Sequence, residues 1–140
     1  MTTTENAKKA PHMPEYLSRM NTDTAEELYV RIMNEIAVKK RYLDPAFTAK
    51  QLAKDLQTNT RYVSALMSLR FDGTFNATIN HFRIQRAIFL MKDKRYEELT
   101  CEEIGLTCGF SNRQSFYSAF NKDMGKTPAT YRKELNHAQK

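Results

Sequence analysis

The side chains best suited to specific chemistry stand at the starts of two predicted helical segments. Arg113 carries a guanidinium fork that matches the two hydrogen-bond acceptors on the major-groove edge of guanine. Gln114 carries an amide that matches the acceptor and donor of adenine. Arg61 holds a comparable position in an earlier segment. These residues predict hydrogen bonding to the edges of base pairs.

No arrangement of side chains suited to catalysis accompanies them. The three histidines, His12, His81 and His137, are scattered along the sequence, and His81 is interpreted as a surface or half-buried residue. The sequence contains no nucleophile beside a base, no metal-ligand spacing and no phosphate-binding loop. We therefore expect no enzyme activity, no metal site and no cofactor.

The charge of the chain is positive and unevenly distributed. The 140 residues carry a formal net charge of +6, with 41% hydrophobic and 27% charged residues. Residues 1–58 contain 9 Lys and Arg against 8 Asp and Glu, whereas residues 59–140 contain 13 against 8. A basic surface suits an acidic partner or nucleic acid. Phosphate contacts are therefore expected mainly in the second part.

The cysteines and the apolar segments indicate the cellular compartment. Cys101 and Cys108 are the only two cysteines, and a bridge between them would distort the helix predicted there. They are interpreted as buried thiols in a reducing environment. No segment approaches the roughly 18 apolar residues of a membrane span, and the N-terminus lacks a signal peptide. The sequence therefore predicts a cytoplasmic protein without a membrane partner.

The elements that must position these side chains are predicted to be helices. With only four Gly and four Pro, the chain has little material for a turn-rich β architecture. Four capping-box patterns, in which Ser or Thr precedes Glu or Gln by three residues, begin at Thr24, Thr48, Thr100 and Ser111. Periodicity predicts helices over residues 25–41, 49–56, 60–70, 75–91, 101–107 and 112–123, and from Pro128 onward.

Two of these helix pairs form an internal repeat. The short helix 49–56 and its successor to Arg70 recur about 52 residues later as 101–107 and 112–123. The helix between the copies is apolar on one face in its first half and on the opposite face in its second half. This pattern suits a helix that connects two lobes. Residues expected to face inward are Leu28, Ile32, Ile36, Leu52, Leu56, Val63, Leu66, Met67, Phe75, Ile79, Phe82, Ile84, Ala87, Ile88, Met91, Ile104, Phe116, Ala119, Phe120, Tyr131 and Leu135.

The second copy resembles the signature of AraC/XylS-type DNA-binding domains. The sequence GFSNRQSFYSAFNKDMGKTPATYR, from Gly109 to Arg132, reproduces the family's spacing of Gly-Phe, two Phe, Gly, Pro and Tyr-Arg. The similarity covers roughly residues 27–134, with Arg83 and Ala87 matching the linker helix. The first copy is looser, and three further departures are Gly105, Met67 and Asn121. Gly105 stands where Ala is commoner and is expected to weaken its helix by up to about 1 kcal/mol.

The resemblance implies an all-α fold of two helix-turn-helix, homeodomain-like lobes joined by a central linker helix. The expected organisation is a flexible tail (1–22), a first lobe (23–74), the linker (75–92) and a second lobe (93–137). The implied function is a sequence-specific, double-stranded DNA-binding transcription regulator whose two recognition helices enter adjacent major grooves. A separate sensing domain, frequent in the family, is not expected here.

The outward positions of the two recognition helices supply the candidate site residues. The expected base contacts are Thr60, Arg61, Ser64, Asn112, Arg113, Gln114, Tyr117 and Ser118, and Ala65 and Ser68 are also placed outward. The expected phosphate contacts are Arg70, Asn121, Lys122 and Lys126. Arg132 is either a phosphate contact or part of a structural ion pair. Tyr62 is left either outward or bracing the turn.

Each candidate has a plainer interpretation. Arg113 either pairs with guanine or only holds a phosphate, Gln114 either reads adenine or only completes a capping box, and Arg61 is otherwise a solvated charge. The alternative function is a protein-interaction module of the same fold that binds a regulator or RNA polymerase without reading DNA. A monomer is expected, because two recognition helices in one chain already span an asymmetric site.

Overall fold

The computed structural model describes residues 22–71 and 73–138. Within these residues the chain forms seven α-helices and no β-strand. The predicted tail falls outside them, apart from residue 22, which is already helical. The helices are α1 (Thr22–Met33), α2 (Ala49–Asp55), α3 (Thr60–Phe71), α4 (Phe75–Lys92), α5 (Cys101–Thr107), α6 (Arg113–Met124) and α7 (Pro128–Ala138). The predicted all-α fold is confirmed.

Two of the predicted capping boxes mark true helix starts. The Thr48 hydroxyl accepts a hydrogen bond from the Gln51 backbone N–H at the start of α2. At the start of α5, Thr100 and Glu103 form the full reciprocal box, in which each side chain accepts from the other's backbone N–H. These bonds satisfy N–H groups that the first helical turn leaves without partners.

The other two predicted boxes are wrong. Thr24 lies inside α1 rather than before it. At the start of α6 the capping residue is Asn112, whose side-chain oxygen accepts from the Ser115 backbone N–H at 2.8 Å, and not Ser111. Asn112 is extended, the backbone conformation in which an asparagine best caps a helix.

The first helix is shorter than predicted. The α-helix ends at Met33, whereas the prediction had it running to residue 41. A π-helical turn over Asn34–Val38 follows it directly. Glu35 on this turn accepts hydrogen bonds from Lys39 at 2.6 Å and Arg41 at 2.9 Å. The hydrogen bond from Lys39, together with the Arg41 contact, lowers the pKa of the Glu35 carboxyl below its ordinary value. The cationic end of the predicted helix is therefore folded back onto this carboxylate.

The described chain divides into two compact units. The first contains residues up to Arg41 together with Phe47–Thr78, and the second contains Tyr42–Ala46 and everything described from Ile79 onward. In the first unit, α2 and α1 both pack on α3. Its buried apolar residues are Leu28, Ile32, Ile36, Phe47, Leu52, Ala53, Leu56, Val63, Ala65, Leu66, Met67 and Phe75. The inward stripes predicted for α1, α2 and α3 are confirmed.

The second unit is built around one aromatic-rich core. Its buried residues are Ile84, Ala87, Ile88, Leu90, Met91, Ile104, Cys108, Phe110, Phe116 and Phe120. Tyr131 and Leu135 of α7 pack against this core as predicted. Burial raises the pKa of the Cys108 thiol to about 12, so this cysteine stays protonated. On α4, Leu90 is buried and Phe89 is half exposed.

Gly105 is required by packing and is not merely a weak helix former. A Cβ at this position would lie 2.4 Å from Cδ2 and 2.5 Å from Cγ of Phe116, which is fully buried. The absence of a side chain therefore lets α5 approach α6 closely. The predicted loss of helix propensity at Gly105 is therefore offset by this close packing of α5 on Phe116.

We expect Gly105→Ala to destabilise the protein. Displacing a packed aromatic ring costs about 1–3 kcal/mol, which exceeds the gain in helix propensity of about 0.5–1 kcal/mol. Urea unfolding followed by circular dichroism should show a lower midpoint with an unchanged slope. Gly73→Ala is the control, since its nearest neighbour would be at 3.8 Å and its midpoint should stay close to wild type. A rise in the Gly105→Ala midpoint would contradict the packing argument.

Candidate nucleic-acid interface

Helix α6 presents a polar face opposite its buried aromatic face. Phe116 and Phe120 are 0% exposed and fix this helix on the core of the second unit. Gln114 and Ser118 are exposed on the other side, and Arg113 is exposed at the first residue of the helix. The helix therefore offers a guanidinium, an amide and a hydroxyl to solvent from its first turn and a half, which is the part of a recognition helix that reaches base edges best.

Asn112 stands at the boundary of this face. Its side-chain oxygen is used in capping α6, while the residue as a whole is exposed. The side-chain NH₂ group is therefore what Asn112 has to offer a ligand. It lies directly before Arg113, at the N-terminal end of the helix.

The Arg113 side chain is held by an aromatic ring one turn further along α6. Its guanidinium carbon lies 4.1 Å from the ring centroid of Tyr117. The Tyr117 ring meets the buried Phe116 ring edge-on, with centroids 5.8 Å apart. Tyr117 is only half exposed. Arg113 and Tyr117, both predicted from the sequence to contact bases, are therefore stacked on each other.

The candidate phosphate contacts of the second unit differ in their surroundings. Asn121 and Lys122 are exposed near the C-terminal end of α6. Lys126 follows the helix and donates a hydrogen bond to Glu134 of α7 at 2.6 Å. Lys126 is therefore already paired with a carboxylate, whereas the side chain of Lys122 has no ion pair with any described residue.

Helix α3 offers smaller polar side chains. Thr60 and Arg61 are exposed and Ser64 and Tyr62 are half-buried. The helix begins after Asn59, whose side-chain oxygen accepts from the Tyr62 backbone N–H at 2.9 Å. The first turn of α3 is therefore capped in the same way as that of α6.

Two residues of α3 that were predicted to face outward are buried or half-buried. Ala65 is buried at 7% exposure, and its outward placement is wrong. The physical reason is that α3 packs against both α1 and α2, so burial extends beyond the stripe of Val63, Leu66 and Met67. Ser68 is half-buried, and its hydroxyl donates to the Gly73 carbonyl at 3.0 Å.

Arg70, at the end of α3, is also engaged within its own unit. Its guanidinium forms an ion pair with Glu26 of α1, and its carbon lies 4.1 Å from the ring centroid of Tyr29. The side chain remains about 40% exposed. It is therefore accessible to an anion, but a carboxylate already competes for it.

Arg132 has a structural role. Its guanidinium donates to the backbone carbonyls of Leu99 at 2.5 Å, Glu97 at 3.2 Å and Tyr96 at 3.3 Å. These bonds fasten α7 to the loop before α5. The ion pair expected from sequence is not found with any described residue, because the partners are carbonyl oxygens and not a carboxylate, and the phosphate contact stays a prediction.

Sequence reasoning missed two features that shape this interface. The Asn59 and Asn112 caps set the first residue of each recognition helix, and an asparagine three residues before the capped N–H was the available signal. The stacking of Arg113 on Tyr117 was missed too, although the spacing of four residues places both on one side of a helix.

The two helix pairs repeat with one difference in spacing. The capping residues of α2 and α5 are Thr48 and Thr100, 52 residues apart, whereas Asn59 and Asn112 are 53 apart. The turn of the second copy is therefore one residue longer. A family model described as a helix-turn-helix domain matches residues 52–134, which begin within α2 and include the rest of the repeat.

The chain belongs to the AraC-type family of helix-turn-helix domains. Among curated relatives, the melibiose operon regulatory protein of Escherichia coli K12 is 31% identical over 90 residues, which are 64% of this chain and 29% of the relative. The uncharacterized HTH-type transcriptional regulator YijO of the same organism is 28% identical over 102 residues, 73% of this chain and 34% of the relative. The chain thus spans about a third of the length of the curated relatives it matches.

Solved structures place this AraC-type domain in the same fold. The C-terminal domain of the two-component response regulator yesN from Fusobacterium nucleatum has a TM-score of 0.64 and 30% identity, covering 77% of this chain and 97% of that one. The C-terminal domain of AraT, a response regulator from Geobacillus stearothermophilus, has a TM-score of 0.61 at 22% identity, with 88% of each chain covered. The second likeness concerns the fold alone.

The family places the domain among regulators and not among enzymes, as the sequence predicted. His81 is exposed and lies 3.1 Å from Asp123 of α6, which agrees with its interpretation as a surface residue. In the described part of the chain no group of three or more His, Cys, Asp and Glu side chains is arranged to hold a metal ion. None of the described helices is both long and apolar enough to cross a membrane.

Proposed function

We propose that this AraC-type domain is a transcription regulator that binds double-stranded DNA sequence-specifically through α3 and α6. Each helix would enter a major groove, and the two grooves would be adjacent. The observation that carries the proposal is the polar surface of α6, where Gln114 and Ser118 are exposed opposite the buried Phe116 and Phe120 and Arg113 is exposed at the first residue of the helix. A helix of this kind fits the major groove and reaches base edges from its first turns.

The two helices support the proposal to different degrees. On α6 two of the exposed groups, Arg113 and Gln114, are long and can form two hydrogen bonds each, which distinguishes one base from another. On α3 only Arg61 is of this type, because Thr60 and Ser64 are short. We propose that α6 contributes most of the discrimination between base sequences. Helix α3 would add a base contact from Arg61, and its short side chains would let it approach the DNA backbone closely.

The test is a selection of bound DNA followed by salt titration. Random duplexes bound by the full chain are amplified through several rounds, and affinity for the recovered duplex and for a scrambled duplex is measured between 50 and 200 mM salt. A sequence-specific regulator should enrich one motif and lose affinity steeply as salt rises, because phosphate contacts release counterions. Equal affinity for all duplexes would reject sequence reading and leave non-specific binding.

We expect Glu26→Gln to increase DNA affinity. The carboxylate of Glu26 pairs with Arg70, which we propose as a phosphate contact. Removing its charge frees the guanidinium, and exposed ion pairs are worth about 0.2–1 kcal/mol, so affinity should rise by up to about fivefold. The measurement is the dissociation constant for the selected duplex at low and high salt.

Glu102→Gln controls for the change in net charge. Glu102 is exposed on α5, and no ion pair joins it to another described residue. Its neutralisation should alter affinity less than that of Glu26. Equal increases in the two variants would mean that Arg70 is not a phosphate contact and that only the overall charge matters.

The alternative function is a protein-interaction module acting on a regulator or RNA polymerase. It is favoured by two large apolar side chains on the second unit that stay exposed, Phe89 at 50% and Leu106 at 44%. Scattered apolar side chains are common on protein surfaces, so this observation weighs less than the polar face of α6. Failure to bind any duplex, combined with capture of a purified polymerase subunit, would favour the alternative.

A further inference from the structure

Arg113 and Tyr117 are in contact before any ligand is present. The guanidinium carbon of Arg113 lies 4.1 Å from the Tyr117 ring centroid, within the range of a cation–π interaction. The two residues are four apart on α6, so their side chains lie on one side of the helix. The pair occupies the first turns of the helix that we propose reads DNA.

The Tyr117 ring is itself fixed in place. It packs against the core of the second unit and meets the ring of Phe116 at 90° with centroids 5.8 Å apart. Phe116 is fully buried and also contacts Phe110, with centroids 5.2 Å apart. A line of contacts therefore runs from the core through Tyr117 to the Arg113 guanidinium.

The backbone at Arg113 is fixed as well. Asn112 caps α6 through its bond to Ser115, which defines Arg113 as the first residue of the helix. With the backbone set at one end and the guanidinium held over a ring at the other, the side chain loses much of its rotamer freedom. A flexible side chain otherwise gives up this freedom only when it binds.

We propose that Tyr117 is a positioning residue that holds the Arg113 guanidinium ready to pair with a guanine, and that its hydroxyl is not itself a base contact. This inference rests on the proposed function. It differs from the expectation that Tyr117 touches DNA directly, because the ring is what acts and the hydroxyl is dispensable. A planar guanidinium needs a defined orientation for two parallel hydrogen bonds to guanine.

The test compares two replacements of Tyr117 in the full chain. Tyr117→Phe keeps the ring and removes the hydroxyl, whereas Tyr117→Leu removes the ring and keeps an apolar side chain over the core. The readout is the ratio of dissociation constants for a scrambled duplex and the duplex selected by the wild type. We expect Tyr117→Phe to match the wild type and Tyr117→Leu to lower the ratio about two- to fivefold.

A double-mutant cycle with Arg113→Ala separates positioning from independent contact. Once Arg113 is absent, Tyr117→Leu should cause almost no further loss, since the ring then has nothing to hold. Additive losses would overturn the proposal. An equal loss in Tyr117→Phe and Tyr117→Leu would also overturn it, because the hydroxyl would then be the contact.

A measurement without DNA keeps the inference separate from the proposed function. In the wild type, the Arg113 Nε–H proton should show an NMR ring-current shift that persists in Tyr117→Phe and disappears in Tyr117→Leu. Absence of the shift in the folded wild type would overturn the stacking, whatever the variants do. If the shift is present and the wild type prefers no duplex, the proposed function fails while the stacking stands.

Discussion

Replacing Arg113 with alanine is expected to lower the preference of the domain for its selected duplex about 10- to 100-fold. The reason is that a guanidinium paired with guanine through two hydrogen bonds contributes about 1–3 kcal/mol of discrimination. Arg113 is exposed on the first turn of α6 and touches the protein mainly through the Tyr117 ring. Its removal should therefore leave the fold unchanged, which circular dichroism checks.

The pattern of the loss distinguishes base reading from phosphate binding. In Arg113→Ala, affinity for the selected duplex should fall much more than affinity for a scrambled one, and the new variant should select a motif with one relaxed position. Lys122→Ala is the matched control, because it removes an exposed cation from the same helix. It should weaken binding to both duplexes alike and reduce the salt slope by about 0.9. If Arg113→Ala weakens binding to both duplexes alike, as expected for Lys122→Ala, then Arg113 holds a phosphate and reads no base.

The helices and the core were predictable because their signals are local. Apolar residues recur every three to four positions on α1, α2, α3 and α6, and this periodicity alone assigns the face that is buried. Thr100 and Glu103 form a capping box from sequence neighbours, so the start of α5 needed no tertiary information. The family signature from Gly109 to Arg132 supplied the rest of the fold.

The errors arose where neighbouring elements decide the outcome. Ser111 and Asn112 both offer a cap, and the path of the turn selects Asn112. Ala65 is buried because α3 has two packing partners, which periodicity on one helix does not reveal. Arg132 donates to carbonyls whose positions depend on the fold of residues 96–99. In each case the missing information was the placement of another segment.

The exposed surface of α6 was predictable from the sequence, whereas the contacts that the candidate side chains already make were not. The exposed polar stripe of α6 follows from the inward positions of Phe116 and Phe120, because residues opposite a buried face must face solvent. Which of these side chains are already engaged does not follow from spacing. Arg70 of α3 pairs with Glu26 of α1, and Lys126 of the turn after α6 pairs with Glu134 of α7.

Replacing Gly109 with alanine is expected to destabilise the second unit by about 3 kcal/mol or more. Gly109 lies in the turn between α5 and α6 with φ +107°, a conformation that costs a residue with a side chain about 1–3 kcal/mol. An added Cβ would also lie 2.3 Å from the Tyr42 carbonyl oxygen and 2.8 Å from Arg83 Nε. Steric conflict in a packed site adds about 1–3 kcal/mol.

The atoms around Gly109 are fixed by hydrogen bonds and cannot move away easily. A side chain at this position should therefore cost more stability than the positive φ alone would. The Tyr42 carbonyl accepts a hydrogen bond from Arg83 Nε at 2.7 Å, and Arg83 also donates to the Asp44 carbonyl at 3.0 Å. Burial lowers the pKa of the Arg83 guanidinium. The same burial limits its access to water, so these carbonyls supply hydrogen bonds that water would otherwise provide. Moving away from a new methyl group would break the bond between Tyr42 and Arg83.

Gly125→Ala separates the steric part of this effect from the backbone part. Gly125 ends α6 with φ +76°, and an added Cβ would meet nothing within 4 Å. Its replacement should therefore cost only the backbone strain, about 1–2 kcal/mol, and its urea midpoint should lie clearly above that of Gly109→Ala. Because the turn at Gly109 sets the direction in which α6 leaves α5, Gly109→Ala should also weaken binding to the selected duplex. Equal midpoints for the two variants would mean that the Tyr42 carbonyl and the Arg83 guanidinium move aside at little cost. The close approach of residues 42–46 would then not constrain the turn at Gly109.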